Sequence, residues 1–287
     1  MTATSATGLL SLVGTPIGNL NDASPRMVET LRSSDIILCE DTRVTGRLLA
    51  HFSIHVPLQR ADENVLERRI AGVLERLAEG EHVSFVSDAG MPGVSDPGQR
   101  LVDATLDAGL QIEVIPGPSA VICALVASGL PMEHFFFEGF LPRKKGPMAA
   151  RLRELALVPG ALVLYESPRR VAATLAVIAE VFPARRVALV RELTKLHEEV
   201  VRGPSSEVAA VIAARDEVKG ECVVVIEGPV VGEEASLQNA PAVSLAEAIE
   251  EGLTAGEGAT RLAKRLARTY GMPRSEVYDR VVELSRR

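Results

Sequence analysis

An alternation along the chain limits its fold more than any other feature. Short, β-branched apolar runs recur, separated by stretches with helical spacing. Leu9–Val13, Asp35–Cys39, His82–Ser87 and Gln111–Ile115 read as buried strands, with helices such as Ser24–Arg32 and Asn64–Glu79 between them. Strands covered on both faces carry continuous apolar runs, and helices between strands imply a largely parallel sheet. A second series follows in Phe135–Phe140, Ala161–Tyr165, Arg186–Arg191 and Glu221–Glu227. The pattern predicts two α/β lobes joined near Pro116–Ser119, which suits a chain of 287 residues.

After the second series the signal changes. Pro229 to Val243 mixes Pro, Gly, Glu, Ser and Asn and reads as a linker. Ser244–Arg287 is helical in composition without a strand signal, and Gly271 and Pro273 break it between two helices. The expected division is a short start over 1–7, a first lobe over 8–117, a second over 118–230, a linker over 231–243 and a helical module over 244–287.

Composition excludes several classes. No apolar run approaches the roughly 18–20 residues of a membrane span. The first residues lack a basic segment followed by a long apolar one, so no signal peptide is expected. Cys39, Cys123 and Cys222 are few, odd in number and far apart, which fits a reducing cytoplasm rather than a disulfide framework. The net charge of −7 argues against a chain coated in positive charge, but leaves room for a local basic face. His51 and His55 stand at i, i+4 without an evident third ligand, so no metal site is expected.

Ligands of open α/β sheets gather at the carboxyl ends of strands. The first strand runs into Gly14-Thr15-Pro16-Ile17-Gly18-Asn19, a turn that admits close approach of backbone to a ligand. It is not Gly-x-Gly-x-x-Gly, and Pro16 removes a donor, so a nicotinamide enzyme is disfavoured even though Glu40-Asp41 follows at a suitable spacing. The third predicted strand runs into residues 87–98, a long loop stiffened by Gly, Pro and Asp that can wrap an adenosine with backbone groups. The fourth ends in Pro116-Gly117-Pro118-Ser119-Ala120, where Ser119 serves equally as helix cap or ligand contact. In the second lobe Tyr165-Glu166-Ser167-Pro168 places Glu166 at a strand end. The same residues also fit a helix start, with Ser167 as N-cap and Pro168 at N1. Dense ionisable clusters, Glu40-Asp41-Thr42-Arg43 and Arg191–Glu199, fit either a solvated face or a site.

Together these segments resemble one family. Gly-Thr-Pro-Ile-Gly-Asn-Leu at 14–20, Glu-Asp-Thr-Arg at 40–43, Ser-Asp-Ala-Gly-Met-Pro-Gly-Val-Ser-Asp-Pro-Gly at 87–98, Pro-Gly-Pro-Ser-Ala at 116–120, Glu-Gly-Phe-Leu-Pro-Arg at 138–143 and Tyr-Glu-Ser-Pro at 165–168 are similar, in order, to the small-subunit rRNA methyltransferase I family of the tetrapyrrole methylase superfamily. The resemblance implies two α/β lobes with S-adenosyl-L-methionine folded in a cleft between them, a homodimer, and 2′-O-methylation of a cytidine in the decoding centre of 16S rRNA. The substrate would be 16S rRNA or the small ribosomal subunit. It puts cofactor contacts on Ile17, Asp88, Ala89, Gly90, Val94, Ser119, Ala120, Tyr165, Gly220 and Glu221. Ile17 and Asp96 stand where tetrapyrrole methylases tend to have Pro and Gly, which points away from a porphyrinoid substrate.

A ribose hydroxyl needs a base or a polarising group within hydrogen-bond reach. Asp41, Glu40 and Glu166 are carboxylate candidates, and Lys195 is the cationic one. Arg43 and Arg169 fit bidentate phosphate contacts. Arg143-Lys144-Lys145 forms one basic segment. Arg261, Lys264, Arg265 and Arg268 form another on a predicted helix, opposite Leu262 and Leu266. That helix reads equally as a solvated amphipathic surface. Two other functions fit parts of the pattern: a tetrapyrrole-precursor methylase of the same fold, and a non-catalytic nucleotide-sensing regulator with a DNA-binding helical tail.

Overall fold

The computed structural model describes residues 8–93, 98–229, 245–270 and 272–285. The chain packs as two compact units. One runs to Ala127 and takes in Val190–Val200; the other comprises Ser128–Leu189 and the chain from Val201 onward. The sequence boundary at 117/118 marks the end of a strand, whereas the first unit also keeps most of the apolar helix that follows.

In the first unit the order is β1 (Leu9–Val13), α1 (Pro25–Ser33), β2 (Ile36–Cys39), α2 (Thr42–His51), β3 (Leu58–Arg60), α3 (Glu63–Ala78), β4 (His82–Val86), α4 (Gly98–Asp107), β5 (Gln111–Ile115) and α5 (Ala120–Ser128). The strands form one sheet in the order β3-β2-β4-β1-β5, and every neighbouring pair is parallel. Alternate side chains feed two cores. Leu10, Leu12, Leu38 and Phe85 pack with Leu66 and Leu77 of α3 and Leu101 of α4. Val13, Ile37, Cys39 and Val86 pack with Met27 and Leu31 of α1 and Leu49 of α2. Both faces of β1, β2 and β4 are covered, which is why these central strands read as nearly unbroken apolar runs, while the edge strands β3 and β5 are partly exposed. Local chemistry sets the helix starts: Ser24 Oγ accepts from Met27 N at 3.0 Å, with Pro25 in the first turn of α1.

The second unit contains β6 (Phe135–Phe140), α6 (Lys145–Leu155), β7 (Ala161–Glu166), α7 (Val171–Val181), β8 (Arg186–Arg191), β9 (Glu199–Pro204), α8 (Ser205–Ala213) and β10 (Cys222–Ile226). The sheet order is β6-β7-β10-β8-β9. β6 and β7 run parallel, but β10 lies antiparallel to β7, so this sheet is mixed where parallel strands were expected. Leu162, Leu164, Leu175, Ile178, Leu189 and Val224 lie in its core.

The tail forms α9 (Leu245–Thr254), α10 (Ala259–Tyr270) and α11 (Arg274–Ser285), three helices where the sequence pattern indicated two. The added break has a local cause. Gly256 takes φ 77°, Gly256 N donates to Leu253 O at 3.0 Å, and Glu257 N donates to Gly252 O at 2.9 Å, which closes α9 with a left-handed glycine cap. Leu245, Ile249, Leu262, Leu266, Val277 and Val281 form this module's own core. Gly271 and the linker at 231–243 lie outside the described residues. No helix among the described residues is long and apolar enough to cross a membrane.

Candidate active site

The loops at the carboxyl ends of β1, β4 and β5 interlock through backbone. A Cβ on Gly14 would lie 2.6 Å from Gly117 N, and one on Gly117 would lie 2.6 Å from Gly14 C. Main chain blocks both positions, and Met91 Sδ would also lie 2.6 Å from a Cβ on Gly14, so only glycine fits at either position. Thr15 and Gly90 exchange hydrogen bonds of 2.9 and 3.1 Å, with Gly90 at φ 80°. Gly117 N donates to Met91 Sδ at 3.2 Å. Ile17 is buried, and its Cγ2 would lie 3.3 Å from a Cβ on Gly90. Ser119 stands just ahead of α5, and its carbonyl accepts from Cys123 N at 2.9 Å. Ala120 opens that helix. Ala89 is exposed beside Gly90. Val94 lies outside the described residues.

One polar atom in this arrangement is orphaned. Thr15 Oγ1 is buried without a hydrogen-bond partner among the described residues. Buried hydroxyls in folded proteins are nearly always bonded, so the exception fits a site that a ligand or water completes. Backbone packed this tightly, with one free hydroxyl, fits the flat, polar-edged adenosyl group that the sequence motifs imply.

The β2 loop joins the same cluster. Asp41 N donates to Asp88 Oδ1 at 3.0 Å, and Asp88 N donates to Glu40 Oε1 at 3.4 Å. Partial burial, with the Asp41 charge as a lesser cause, raises the Asp88 carboxyl above its ordinary value. Asp41 behaves oppositely. Its carboxylate caps α2 by accepting from Arg43 N at 2.8 Å, and it pairs with Arg43 Nε and Nη2 at 3.0 and 2.6 Å. These bonds hold it well below the usual carboxylate range. Asp41 is therefore ionised and a poor proton acceptor at neutral pH. Its visible work is to fix the start of α2 and orient Arg43.

Lys195 lies in the Val190–Val200 segment that packs with the first unit. Glu192 and Thr194 adopt φ 51° and 65°. A β-branched residue in the left-handed region is strained, and such strain persists only where surrounding bonds impose it. Here they do. Thr194 N donates to Glu198 Oε2 at 2.6 Å, Asn19 N donates to Thr194 Oγ1 at 3.1 Å, and Lys195 N donates to Glu192 O at 3.0 Å. Lys195 Nζ donates to Glu192 Oε1 at 2.8 Å. A Cβ on Gly18 would meet Lys195 Cγ at 2.6 Å, so the lysine stem lies directly over the first glycine turn.

In the second unit Glu166 is buried and fully engaged. It accepts from Thr174 Oγ1 at 2.7 Å and Ser167 N at 2.8 Å, and it pairs with Arg170 at 3.3 Å. α7 begins at Val171 rather than at Pro168. The Ser167 carbonyl takes Arg170 N and Val171 N at 3.0 Å each, so a turn precedes the helix. Tyr165 sits across from Val223 in the β7/β10 register, and burial, with the Glu221 charge as a lesser cause, pushes its phenol up. Gly220 takes φ 83° just before β10. Arg143, Lys144, Lys145 and Arg169 are exposed. On α10, Arg261, Lys264 and Arg268 form an exposed stripe opposite buried Leu262, Ala263 and Leu266, while Arg265 is tied to Glu257 at 3.0 and 3.2 Å. No cluster of metal-ligating side chains occurs among the described residues.

A family model described as Tetrapyrrole (Corrin/Porphyrin) Methylases matches residues 9–209. The ribosomal RNA small subunit methyltransferase I of Streptococcus pyogenes serotype M3 is 40% identical over 277 residues, covering 96% of either chain. The chain belongs to this methyltransferase family. The protein of the same name from Xylella fastidiosa is 41% identical over 279 residues, covering 96% of this chain and 99% of that one. Among solved structures, uroporphyrin-III C-methyltransferase from Thermus thermophilus, complexed with S-adenyl homocysteine, aligns with a TM-score of 0.55 at 19% identity. The alignment covers 77% of this chain and 97% of that one, a likeness of fold.

The loop that carries the candidate Lys195 holds residues that the sequence does not announce. Glu192, Thr194 and Glu198, which lock the Lys195 loop, fell inside a segment flagged only for its charge density. No residue type there announces a left-handed threonine.

Proposed function

We propose that this methylase transfers the methyl group of S-adenosyl-L-methionine to the ribose 2′-oxygen of a decoding-centre cytidine in 16S rRNA. The observation that carries the reading is the backbone cradle of the first unit, where Gly14 and Gly117 lie back to back beside the orphaned Thr15 hydroxyl. When bound, the cofactor supplies an already activated sulfonium methyl group. Ile17, Asp88, Ala89, Gly90, Ser119 and Ala120 are the first unit's candidates to hold it, with Val94 in the same loop. Tyr165, Gly220 and Glu221 are the second unit's candidates.

Lys195 is the best-placed group to act on the acceptor hydroxyl. Its ammonium is held by Glu192, and it can donate a hydrogen bond to an oxygen that gains negative charge, a role worth roughly a hundredfold or more in rate. Glu40 stays a carboxylate candidate, linked to Asp88. Asp41 and Glu166 act by fixing structure. Arg43, Arg143, Lys144, Lys145, Arg169 and the α10 stripe of Arg261, Lys264 and Arg268 are proposed phosphate contacts, with Arg265 at its edge. That exposed stripe favours RNA over a small tetrapyrrole.

A homodimer is part of the reading. It is supported by exposed Val114, Ile122 and Val126 in the first unit, and by Phe135 and Phe136 on the edge strand β6 in the second. A monomer mass at micromolar concentration would remove it. The test of the whole is incubation with labelled S-adenosylmethionine and small ribosomal subunits, followed by mass spectrometry of the nucleosides. Labelled 2′-O-methylcytidine is expected. Label in a base, in another nucleoside or in no RNA defeats the proposal.

A further inference from the structure

The second unit holds a cavity from whose lining the reading above draws only Arg143, as a phosphate contact, and Glu166, as a structural group. Its volume is about 850 Å³, and its lining includes Glu138, Phe140, Arg143, Arg151, Ser167 and Arg170. It lies at the carboxyl ends of β6 and β7, which run parallel. Such ends are where α/β sheets take ligands.

The strand is shaped to serve this cavity. The β6/β7 register shifts between Phe137 and Gly139, leaving Glu138 as an extra residue, and Gly139 takes φ 75°. A bulge re-aims side chains, often beside functional sites. Here the Glu138 carboxylate meets Arg151 in a two-point pair of 2.6 and 2.8 Å. Phe140 follows, 59% exposed, with its ring tilted against Tyr165 at 5.8 Å between centroids. An open ring on the cavity wall is a face that something flat and unsaturated can cover.

The charges narrow what that something is. Arg151 is held by Glu138 and Glu154, and Arg170 by Glu166 and the Leu141 carbonyl. Arg143 is exposed and makes no ion pair among the described residues. A polycarboxylate or a polyphosphate would call for several uncommitted cations, and the cavity offers one. One cation, an open aromatic face and a wall of paired donors and acceptors match a single nucleotide: one phosphate, one π-face and a polar base edge.

We propose that this cavity seats one unstacked nucleotide of a single-stranded RNA segment, with the base on Phe140 and the phosphate on Arg143. The inference rests on the RNA reading above and adds where the strand is gripped. Stacking on an aromatic side chain accepts any base, so the seat fixes register and leaves sequence to other contacts.

The test uses the full chain and a fluorescently labelled single-stranded cytidylate decamer, followed by anisotropy across a salt series. Arg143→Glu is expected to weaken binding about tenfold at low salt and to flatten the salt slope by about 0.7 or more. Phe140→Leu is expected to weaken binding about fivefold or more with the slope unchanged, because stacking releases no counterions. A duplex of the same length should lose little with Phe140→Leu. Wild-type affinity in both variants overturns the proposal. So does a loss confined to Arg143→Glu, which would leave only a phosphate contact. Failure of methyl transfer to small subunits by the wild-type protein would instead strike the function above, leaving a Phe140-dependent decamer interaction to stand by itself.

Discussion

Where the first sheet ends, backbone meets backbone; where the second ends, carboxylates meet guanidinium groups. Gly14 packs against Gly117 and Thr15 against Gly90 through main chain, with the Met91 thioether wedged beside the glycine pair. Glu138 with Arg151 and Glu166 with Arg170 fill the equivalent ends of β6 and β7 with paired charge. The contrast follows from what each end would hold. Main-chain groups pressed together form a rigid surface that recognises a small molecule by shape and by fixed donors and acceptors. Paired side chains keep a cavity open, polar and nearly neutral, suited to one segment of a larger polymer. The first region should therefore be intolerant of added atoms, and the second intolerant of unpaired charge.

The largest effect is expected where the two kinds of material meet in one loop. Lys195 is a charged side chain, yet its stem lies on the glycine turn of the first unit. Lys195→Met keeps the stem and removes the ammonium. Turnover should fall about a hundred- to a thousandfold, while calorimetry with S-adenosylmethionine shows affinity within about twofold of wild type. Near-normal turnover would take Lys195 out of the reaction and leave the strained Glu192–Thr194 backbone without a functional explanation.

Next comes the glycine pair. Gly14→Ala drives a methyl group into Gly117 N and Met91 Sδ, each at 2.6 Å, and the Gly117 backbone cannot move aside. A loss of about 3 kcal/mol in urea unfolding is expected, at the upper end for overpacking. Gly203→Ala in β9 is the matched control. Its nearest atoms lie at 3.7 and 3.9 Å, so a change within about 0.5 kcal/mol should follow. Similar losses in both would show that the first unit's loops are no tighter than an ordinary strand.

How much of this was legible beforehand differs between the two regions. The first sheet's central strands were readable because both faces are buried, and Leu9–Val13 emerged with its observed limits, as did Gln111–Ile115, an edge strand in which only Ile115 is buried. β3 was missed, since Leu58–Arg60 is three residues long and only partly buried. β9 was missed because its alternating, half-exposed residues follow a charge-rich stretch. Strand direction leaves no mark on composition, so β10, antiparallel to β7, could not be told from a parallel strand. The glycine turns announced themselves through residue type. The ion pairs did not: Glu138 and Arg151 are separated in sequence by a helix start, and only the bulge at Gly139 brings them together. Asp41 and Glu166 were picked out as reactive carboxylates for standing at strand ends, but their partners lie in the adjoining turns and helices and engage them.

Glu166 gives the converse of the glycine test. Glu166→Ala removes the acceptor for Thr174 Oγ1 and Ser167 N and leaves Arg170 without its carboxylate. Breaking a fully buried pair costs about 3–5 kcal/mol. The Arg170 side chain is 26% exposed, so water recovers part of that and about 2 kcal/mol is expected. The check is again urea unfolding, read beside turnover. A fall in turnover far beyond the loss of folded protein would restore Glu166 as a reacting group.

The smallest effect concerns Asp88, whose carboxylate accepts from Asp41 N in the loop cluster of the first unit. Its pKa is raised in the folded protein by burial, and the Asp41 charge adds to that. A carboxyl raised on folding contributes stability below its unfolded value of about 3.9. That contribution is lost as pH rises through the folded value, because the native state then resists an ionisation that the unfolded chain accepts. Asp88→Asn cannot ionise, and its amide oxygen can still take the hydrogen bond from Asp41 N. The variant should therefore match wild type near pH 4 and gain on it towards pH 7, by a few tenths of a kcal/mol because Asp88 is screened by solvent. Urea midpoints at the two pH values measure it. Cofactor affinity should move the other way at pH 7, weakening where stability improves. A variant that instead lost ground to wild type as pH rose would mean that the ionised Asp88 is favoured in the fold, and that the cluster is held by charge after all.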